Sequence, residues 1–436
     1  MNYSNGMSSL PSIDRSQAVT VKSSKTPVNP EPVGEKERIF SLDVLRGLAV
    51  LGILPMNIQD FSMISAAYIN PTAYGDLSGA NYLVWLITHL LADWKFITIF
   101  SMLFGAGIFL MTSRVEAAGR SSAALHYRRM GWLVLFGLIH SYVLWSGDIL
   151  YTYGMCGLLV FLFRKLNPRP LFIVGLLMLA VPPAFFLATA RQLAHAPAAE
   201  LQAETQEGWK PTADMVNQEL AAYRGSWIEQ MSARAPFAFY TQTNFFLTFY
   251  FWRTTGCMLI GMGLFKLGVL SGKLLARVYW TLIAFAVLAG IPVLLYGTHR
   301  DFATGWNYIQ SFYINIQYNY WASISISLAW VGLIILLLRT RSFIPLGKRL
   351  AAVGRMAFSN YILQTLICTT IFYGHGFGLF GKVSRVGQIG IVAAIWALQL
   401  IISPMWFQYF VFGPLEWLWR SLTYLRWEPF RRPLSA

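Results

Sequence analysis

The sequence predicts an all-α fold, a polytopic transmembrane bundle of about ten helices with both termini inside. Three observations predict it. First, 56% of the 436 residues are apolar and only 12% are charged, where a soluble domain carries about 25% charged residues. A soluble chain of this length cannot cover its surface with so few polar groups. Second, the apolar residues fall in long continuous runs. About 20 such residues span a bilayer as a helix, whereas a transmembrane barrel alternates apolar and polar positions over short segments. Third, Lys and Arg are distributed unequally between alternate connections, as orientation in a membrane requires. Disordered, collagen-like, disulfide-stapled and cytosolic-enzyme classes are thereby excluded as the main reading.

Each element follows in order. Residues 1–38 are rich in Ser, Pro, Lys and Glu. They cannot bury a core and read as a disordered cytoplasmic tail, too long and too charged for a cleaved signal. The first span covers about 42–62 and opens Ser41-Leu42-Asp43-Val44-Leu45-Arg46-Gly47. Ser41 or Asp43 is placed to cap it, and Asp43 and Arg46 share a face. After Asn70-Pro71 comes a run over 82–112. It is too long for one crossing, and Asp93-Trp94-Lys95 is placed to break it into an outer helix (81–92) and a span (96–112). The third and fourth spans, 130–146 and 148–163, are joined by a short turn at Ser146-Gly147. The fifth, 170–190, follows Asn167-Pro168. Residues 191–240 form the one sizeable polar insertion and read as an outer helical hairpin or cap. Five further spans cover 242–265, 278–297, 318–338, 355–374 and 387–413. The membrane part therefore divides into 39–190 and 241–415, and a basic cytoplasmic tail covers 416–436.

The net charge of +15 is read through this topology. With the N-terminus inside, the inner segments hold 24 of the 34 Lys and Arg, the outer segments 7 and the spans 3. The excess of positive charge thus reports orientation rather than nucleic-acid binding. Cys156, Cys257 and Cys368 sit in apolar runs with no pairing pattern and no metal-ligand spacing.

Ionisable groups within spans are expensive and mark candidate sites. His140 and Asp148 flank the tight outer turn, and a His oriented by a carboxylate is the general-base arrangement. Asn57 stands near the outer end of the first span. Asp93 and Lys95 are two apart, so they converge only if their helix breaks. Arg253 lies in mid-span and needs partners or an anion. Asn360 and Gln364 form a polar stripe with Arg355 at its start. His375 follows an outer span end, and His89 reads as interfacial. Stripes of small residues, such as Ser101 to Gly107 and the Gly256-Gly261-Gly263 series, are close-packing seams and would also permit a homodimer.

Several of these pieces resemble the YeiB-like family of bacterial integral membrane proteins, long described as of unknown function. They are Arg38-x-x-Ser-Leu-Asp43-Val-Leu-Arg46-Gly47; Lys95-Phe96 leading to Phe100-Ser-Met-Leu-Phe-Gly105-Ala-Gly107; Leu135-Phe-Gly-Leu-Ile-His140 with Trp145-Ser-Gly-Asp148; and Gly354-Arg355-Met-Ala-Phe-Ser-Asn360-Tyr361-x-x-Gln364. The resemblance covers about residues 38–415. It implies a multi-pass protein of the bacterial inner membrane. That family is in turn similar to transmembrane acyltransferases of the heparan-α-glucosaminide acetyltransferase type, which implies acyl transfer from cytoplasmic acyl-CoA to an acceptor across the membrane. The shared pieces are the Asp43-x-x-Arg46-Gly47 opening, Asn57 and Asp93. One departure stands: that type carries a catalytic His in the outer loop after the Asn, and 63–81 contains none.

The resulting expectation has acyl-CoA as co-substrate, with no metal and no nucleic acid. The catalytic candidates are His140, Asp148, Asn57, Asp93 and Lys95. The substrate-binding candidates are Arg46, Arg253, Arg355, Asn360, Gln364 and His375, with Arg128 and Arg129 adding positive charge inside. The acceptor would be a small molecule or glycan and the surroundings lipid. A transporter or flippase for an anionic or lipid-linked solute, and a non-catalytic accessory membrane protein, are the alternatives.

Overall fold

The computed structural model describes residues 38–432. Residues 1–37 of the expected disordered tail and 433–436 of the basic tail lie outside the described residues. Every regular element among the described residues is helical. In chain order these are α1 (Phe40–Ser62), α2 (Ser65–Ile69), α3 (Gly79–Leu91), α4 (Lys95–Ala117), α5 (Ala123–Ile139), α6 (Leu150–Val160), α7 (Pro168–Leu193), α8 (Ala198–Gly208) and α9 (Ala213–Arg224). They are followed by α10 (Trp227–Gln242), α11 (Phe251–Lys266), α12 (Ala276–Phe285), α13 (Ile291–Ala303), α14 (Ile316–Leu337), α15 (Ile344–Arg355), α16 (Ala357–Phe372), α17 (Arg385–Tyr409) and α18 (Pro414–Tyr424).

Six segments among the described residues are long and apolar enough to cross a membrane: α1, α3 with α4, α7, α12 with α13, the stretch Ile309–Leu337 that contains α14, and α17. Helices stand at the other four expected positions as well. There α5, α6, α11 and α16 run 17, 11, 16 and 16 residues. At about 1.5 Å per residue each falls short of the roughly 30 Å hydrocarbon core. A wide turn prolongs two of them, His140–Leu144 after α5 and Phe246–Tyr250 before α11. The bundle is layered by enclosure. The apolar window of α1 is 72% buried within the protein and that of α12–α13 only 22%, so α1 is central and α12–α13 faces outward.

The second apolar segment breaks where the sequence places the break. Trp94 takes φ 62° between α3 and α4, a left-handed conformation that ends one helix and starts another at an angle. The polar insertion, expected as a helical hairpin or cap, is helical but is not a two-helix hairpin. It is three helices, α8 to α10, with Thr212 capping α9 and a reciprocal Ser226–Glu229 capping box opening α10. The start of α1 also differs: neither Ser41 nor Asp43 caps it. Ser41 Oγ instead donates to the Leu270 carbonyl at 3.2 Å, and Asp43 pairs with Arg46 at 3.0 Å and Arg38 at 3.3 Å.

Connections alternate between two ends of the bundle. At one end Ser65 N and Oγ donate to Glu219 Oε1 at 2.8 and 2.7 Å. There too Gly381 N donates to Ser62 O at 2.7 Å, Arg224 Nε to Phe380 O at 2.8 Å and Trp209 Nε1 to Trp306 O at 2.8 Å. At the other end Arg164 pairs with Glu116 at 2.8 Å, Lys266 Nζ donates to Arg164 O at 2.7 Å and Trp419 Nε1 to Arg129 O at 2.9 Å.

Small residues set the closest helix contacts. A Cβ on Gly47 would lie 1.9 Å from the Leu350 carbonyl oxygen, and one on Gly354 1.9 Å from that of Asp43. Helix α15 therefore crosses the first turns of α1 backbone to backbone. The expected seam on α4 is used within the chain, since a Cβ on Gly105 would meet the Met258 carbonyl of α11 at 1.9 Å.

A cavity at the α3–α4 break

A cavity of about 90 Å3 opens where α3 meets α4, lined among others by Gln59, Tyr68, Trp85, His89, Asp93, Trp209, Asp301, Trp306 and Asn319. The α3–α4 break makes it. Because α3 ends at Leu91, His89 and Asp93 lie one turn apart, and His89 Nδ1 sits 3.0 Å from Asp93 Oδ2. The His89 ring stacks on Trp85, with centroids 5.3 Å apart and planes at 7°. Asn319 Nδ2 donates to the same Asp93 oxygen at 2.6 Å. Behind Asn319 the fully buried Lys95 ammonium donates to Asn319 Oδ1 and to the His89 carbonyl, both at 2.7 Å. Lys95 thus neutralises Asp93 through an amide relay, which resolves the spacing that keeps them apart on a regular helix.

Among the described residues no hydrogen bond reaches His89 Nε2 or Asp93 Oδ1, and their side chains keep 19% and 14% of their area exposed. In the neutral tautomer that donates Nδ1–H to Asp93, Nε2 carries a lone pair. That is a general base in an accessible place. Tyr68 stands at the edge of the cavity on α2. Burial, and then the neighbouring Asp93, Tyr250 and Asp60, push its phenol well above the ordinary value.

A second His–Asp pair is closed. His140 Nδ1 lies 2.8 Å from Asp148 Oδ1 and Nε2 3.0 Å from Thr365 Oγ1. The side chains keep 2% and 1% exposure. The other Asp148 oxygen accepts from Tyr151 N at 2.7 Å and so caps α6. The turn is longer than one or two residues, because His140–Leu144 is wound wide and 145–149 is irregular. Beside the pair, Trp145 Nε1 donates to Asp60 Oδ2 at 2.7 Å.

The remaining candidates are distributed as follows. Asn57 is half-buried on α1 and does not line the cavity. Arg253 donates to Tyr320 O at 3.2 Å, Thr98 Oγ1 at 3.1 Å and Ser323 Oγ at 2.8 Å, under the rings of Trp94 and Tyr320. It ties α11 to α4 and α14. Asn360 donates to Val353 O and Ser403 Oγ, each at 3.1 Å. Gln364 donates to Gln399 Oε1 at 2.9 Å, so the polar stripe of α16 is matched by α17. His375 is exposed in a loop, 3.3 Å from Gln230.

The opposite end carries a concentration of guanidinium groups. Arg46 and Arg38 share Asp43. Arg128 Nε donates to the Thr423 carbonyl, Arg129 lies over Trp419 at 4.3 Å and Arg355 over Phe407 at 3.8 Å. Burial first, then repulsion from Arg46, brings Arg129 down to about 10. Burial, then Arg129 and Arg38, does the same to Arg420. Glu416 lies nearby, but it is occupied at the start of α16, accepting from Phe358 N at 2.7 Å and Ser359 N at 3.2 Å.

The sequence pattern does not mark His89, Asp301, Asn319, Trp209, Trp306 or Arg420 as site residues. The i,i+4 spacing of His89 and Asp93 is the one local signal. The rest meet through tertiary contacts.

Fold and composition define an all-helical membrane protein with a polar cavity at one end. The family model described as a protein of unknown function (DUF418) matches residues 264–426, from the end of α11 through α18. The chain is 33% identical over 409 residues to the uncharacterized protein YeiB of Escherichia coli (strain K12), covering 89% of this chain and 96% of that protein. It is 31% identical over 430 residues to the uncharacterized protein YxaH of Bacillus subtilis (strain 168), covering 92% and 98%. An uncharacterized 39.9 kDa protein from the amylase 3' region of Bacillus acidopullulyticus is 29% identical over 410 residues, covering 92% and 97%. The chain belongs to this YeiB-like family.

Proposed function

We propose that the protein is a transmembrane acyltransferase that takes an acyl group from cytoplasmic acyl-CoA and delivers it to an acceptor bound in the α3–α4 cavity. The observation that carries this reading is the accessible His89–Asp93 pair at one end, with an arginine cluster at the other. His89 removes a proton from the acceptor as its oxygen or nitrogen attacks the thioester carbonyl; the adduct then collapses with cleavage of the C–S bond, the departing CoA thiolate takes that proton back from His89 to leave as free CoA, and Asp93 holds the ring. Arg46, Arg128, Arg129 and Arg355 face CoA phosphates, for which guanidinium geometry is suited. Gln59 borders the cavity and Arg46 lies 13 residues earlier on α1, about 20 Å at 1.5 Å per residue. An extended pantetheine arm covers a separation of that order.

The same reading has ten crossings, both termini inside and a bacterial inner-membrane location. The alternation of connections between two ends supports it, as do the 24 Lys and Arg on one side against 7 on the other. Two membrane halves, 39–190 and 241–415, flank the insertion. A transporter built on Arg253 and Lys95 has less support, because both cations are occupied by protein acceptors.

The test is acyl-CoA-dependent release of free CoA by the full chain in proteoliposomes, against a panel of alcohol, amine and sugar acceptors. The expected result is acceptor-stimulated release that His89→Ala reduces by about 10²-fold or more. Folded protein that neither binds acyl-CoA nor releases CoA overturns the reading.

A further inference from the structure

Far from the cavity, one arginine lacks an acceptor. Arg420 is half-buried on α18, and its guanidinium stands over the Phe412 ring, 4.7 Å from the centroid. Among the described residues it makes no ion pair and no hydrogen bond. Glu416, one turn earlier on the same helix, is spent elsewhere. Its Oε1 accepts from Phe358 N and Ser359 N, and its Oε2 from Ser359 Oγ at 2.5 Å. The other charges facing Arg420 are Arg129 and Arg38, which repel it. A half-buried cation beside two others calls for an anion, and a guanidinium fork matches the oxygens of a phosphate.

The neighbouring surface says which phosphate. Ile401, Met405 and Tyr409 recur every four residues on α17 and so form one stripe, each more than half exposed. The stripe runs into a strap made by the end of the chain. Arg432 N donates to Tyr409 O and Val411 N to Phe430 O, each at 2.9 Å, and Phe410 pairs with Arg431 in an antiparallel bridge. Phe430 lies 4.7 Å from the Phe410 ring and 4.9 Å from that of Trp417. Trp417 is one turn before Arg420 and shares its face of α18, so these rings join the stripe to the guanidinium. On the strap, Leu425 holds φ 55° and is 71% exposed, and Trp427 is 74% exposed. A leucine in the left-handed region is strained, and water gives nothing back for exposing it. Lipid does. Exposed Arg426 and Arg431 stand among these side chains, and aromatic residues mixed with arginines at the end of an apolar stripe are the make-up of a membrane interface.

We propose that this end of the bundle holds an anionic phospholipid, with its headgroup phosphate on Arg420 and its acyl chains along the Ile401–Met405–Tyr409 stripe. Basic recesses beside membrane helices hold acidic headgroups in this way. The strap of residues 425–432 then seats α18 in the membrane surface through Leu425 and Trp427. The inference does not rest on acyl transfer, because Arg420 is outside the residues assigned to CoA.

The experiment places the full chain in nanodiscs of phosphatidylcholine with rising fractions of phosphatidylglycerol. Lipids that stay bound on release are counted by native mass spectrometry, and melting temperature is read on the same samples. Retention of phosphatidylglycerol over phosphatidylcholine is expected, with a melting temperature that climbs with the anionic fraction. Arg420→Gln should weaken that retention by about fivefold, the worth of one arginine at an anionic surface, and Arg420→Lys should keep most of it. Arg349→Gln removes an exposed charge on α15 at the same end and should leave retention unchanged. Equal losses in Arg349→Gln and Arg420→Gln would mean diffuse attraction and overturn the site. So would a folded parent protein with no preference for phosphatidylglycerol, a result that needs no variant to fold. Inorganic phosphate and CoA, each added to phosphatidylcholine discs, separate the sources of phosphate. Protection by either that Arg420→Gln abolishes, without retention of phosphatidylglycerol, overturns the lipid assignment. Retention by a protein that releases no CoA keeps this inference and removes acyl transfer.

Discussion

Two histidine–aspartate pairs share one bond and differ in everything around it. His89–Asp93 borders a cavity, keeps 19% and 14% of its side chains exposed and leaves Nε2 without a partner among the described residues. His140–Asp148 keeps 2% and 1%, with Nε2 against Thr365 and the second carboxylate oxygen capping α6. A general base must reach its proton directly or through one water. The first pair meets that requirement. The second is a buried network in which every strong polar group is matched, and such networks hold structure.

This contrast gives predictions that differ in kind. The largest is kinetic: His89→Ala lowers acyl transfer by about 10²- to 10⁴-fold and changes stability by less than about 1 kcal/mol, since the side chain is at a cavity edge. The next is thermodynamic. His140→Ala and Lys95→Ala each leave a carboxylate or amide network in the interior without its partner, and should cost about 3–5 kcal/mol, read by thermal or denaturant unfolding in detergent. Glu416→Ala removes the acceptor for Phe358 and Ser359 at the start of α16 and should cost about 1–2 kcal/mol in the same assay. If Glu416→Ala matched His140→Ala in cost, the distinction between a cap and a buried network would fail.

The smallest effect concerns the insertion that supplies Trp209. Glu219 of α9 receives both Ser65 donors, and burial, partly offset by those bonds, holds its carboxyl above the ordinary value. The folded state therefore keeps its proton to higher pH than the unfolded one. Stability from this group is present at low pH and falls as pH climbs from about 4.3, the unfolded value, through the raised folded one. Glu219→Gln removes that loss. Its melting temperature should equal the parent's near pH 4 and exceed it slightly at pH 7, by an amount equivalent to less than about 1 kcal/mol.

How much of this is legible before folding depends on which force sets each feature. The long apolar runs are legible because lipid demands them. Helix α15 is not: Lys348, Arg349 and Arg355 make 339–355 read as a loop, and only the crossing of α15 on α1 shows why Gly354 is a glycine, since a Cβ there would meet the Asp43 carbonyl and Gly47 N. The nearness of His140 and Asp148 follows from a short connection that folds α6 back on α5. His89 is harder. Its spacing from Asp93 and the helix end between them are visible, but His89 itself reads as interfacial, because Trp85 stacking and the Asn319 relay that mark the site appear only in the fold. The cavity itself is not legible, because Trp209, Asp301, Trp306 and Asn319 meet only once the insertion docks on α13 and α14. Arg253 shows the converse. Its mid-span charge calls for partners or an anion, and the partners are Tyr320, Thr98 and Ser323, acceptors that no local pattern links to it.

The most direct measurement is a side-by-side assay of His89→Ala and His140→Ala in the full chain, with CoA release and melting temperature taken on the same preparations. The account predicts that His89→Ala melts within about 2 °C of the parent, equivalent to under 1 kcal/mol, and loses transfer by at least about 10²-fold. It predicts that His140→Ala melts well below the parent and retains transfer in proportion to the folded fraction. A His89→Ala protein with full activity, beside a His140→Ala protein that melts normally and is inactive, would contradict it.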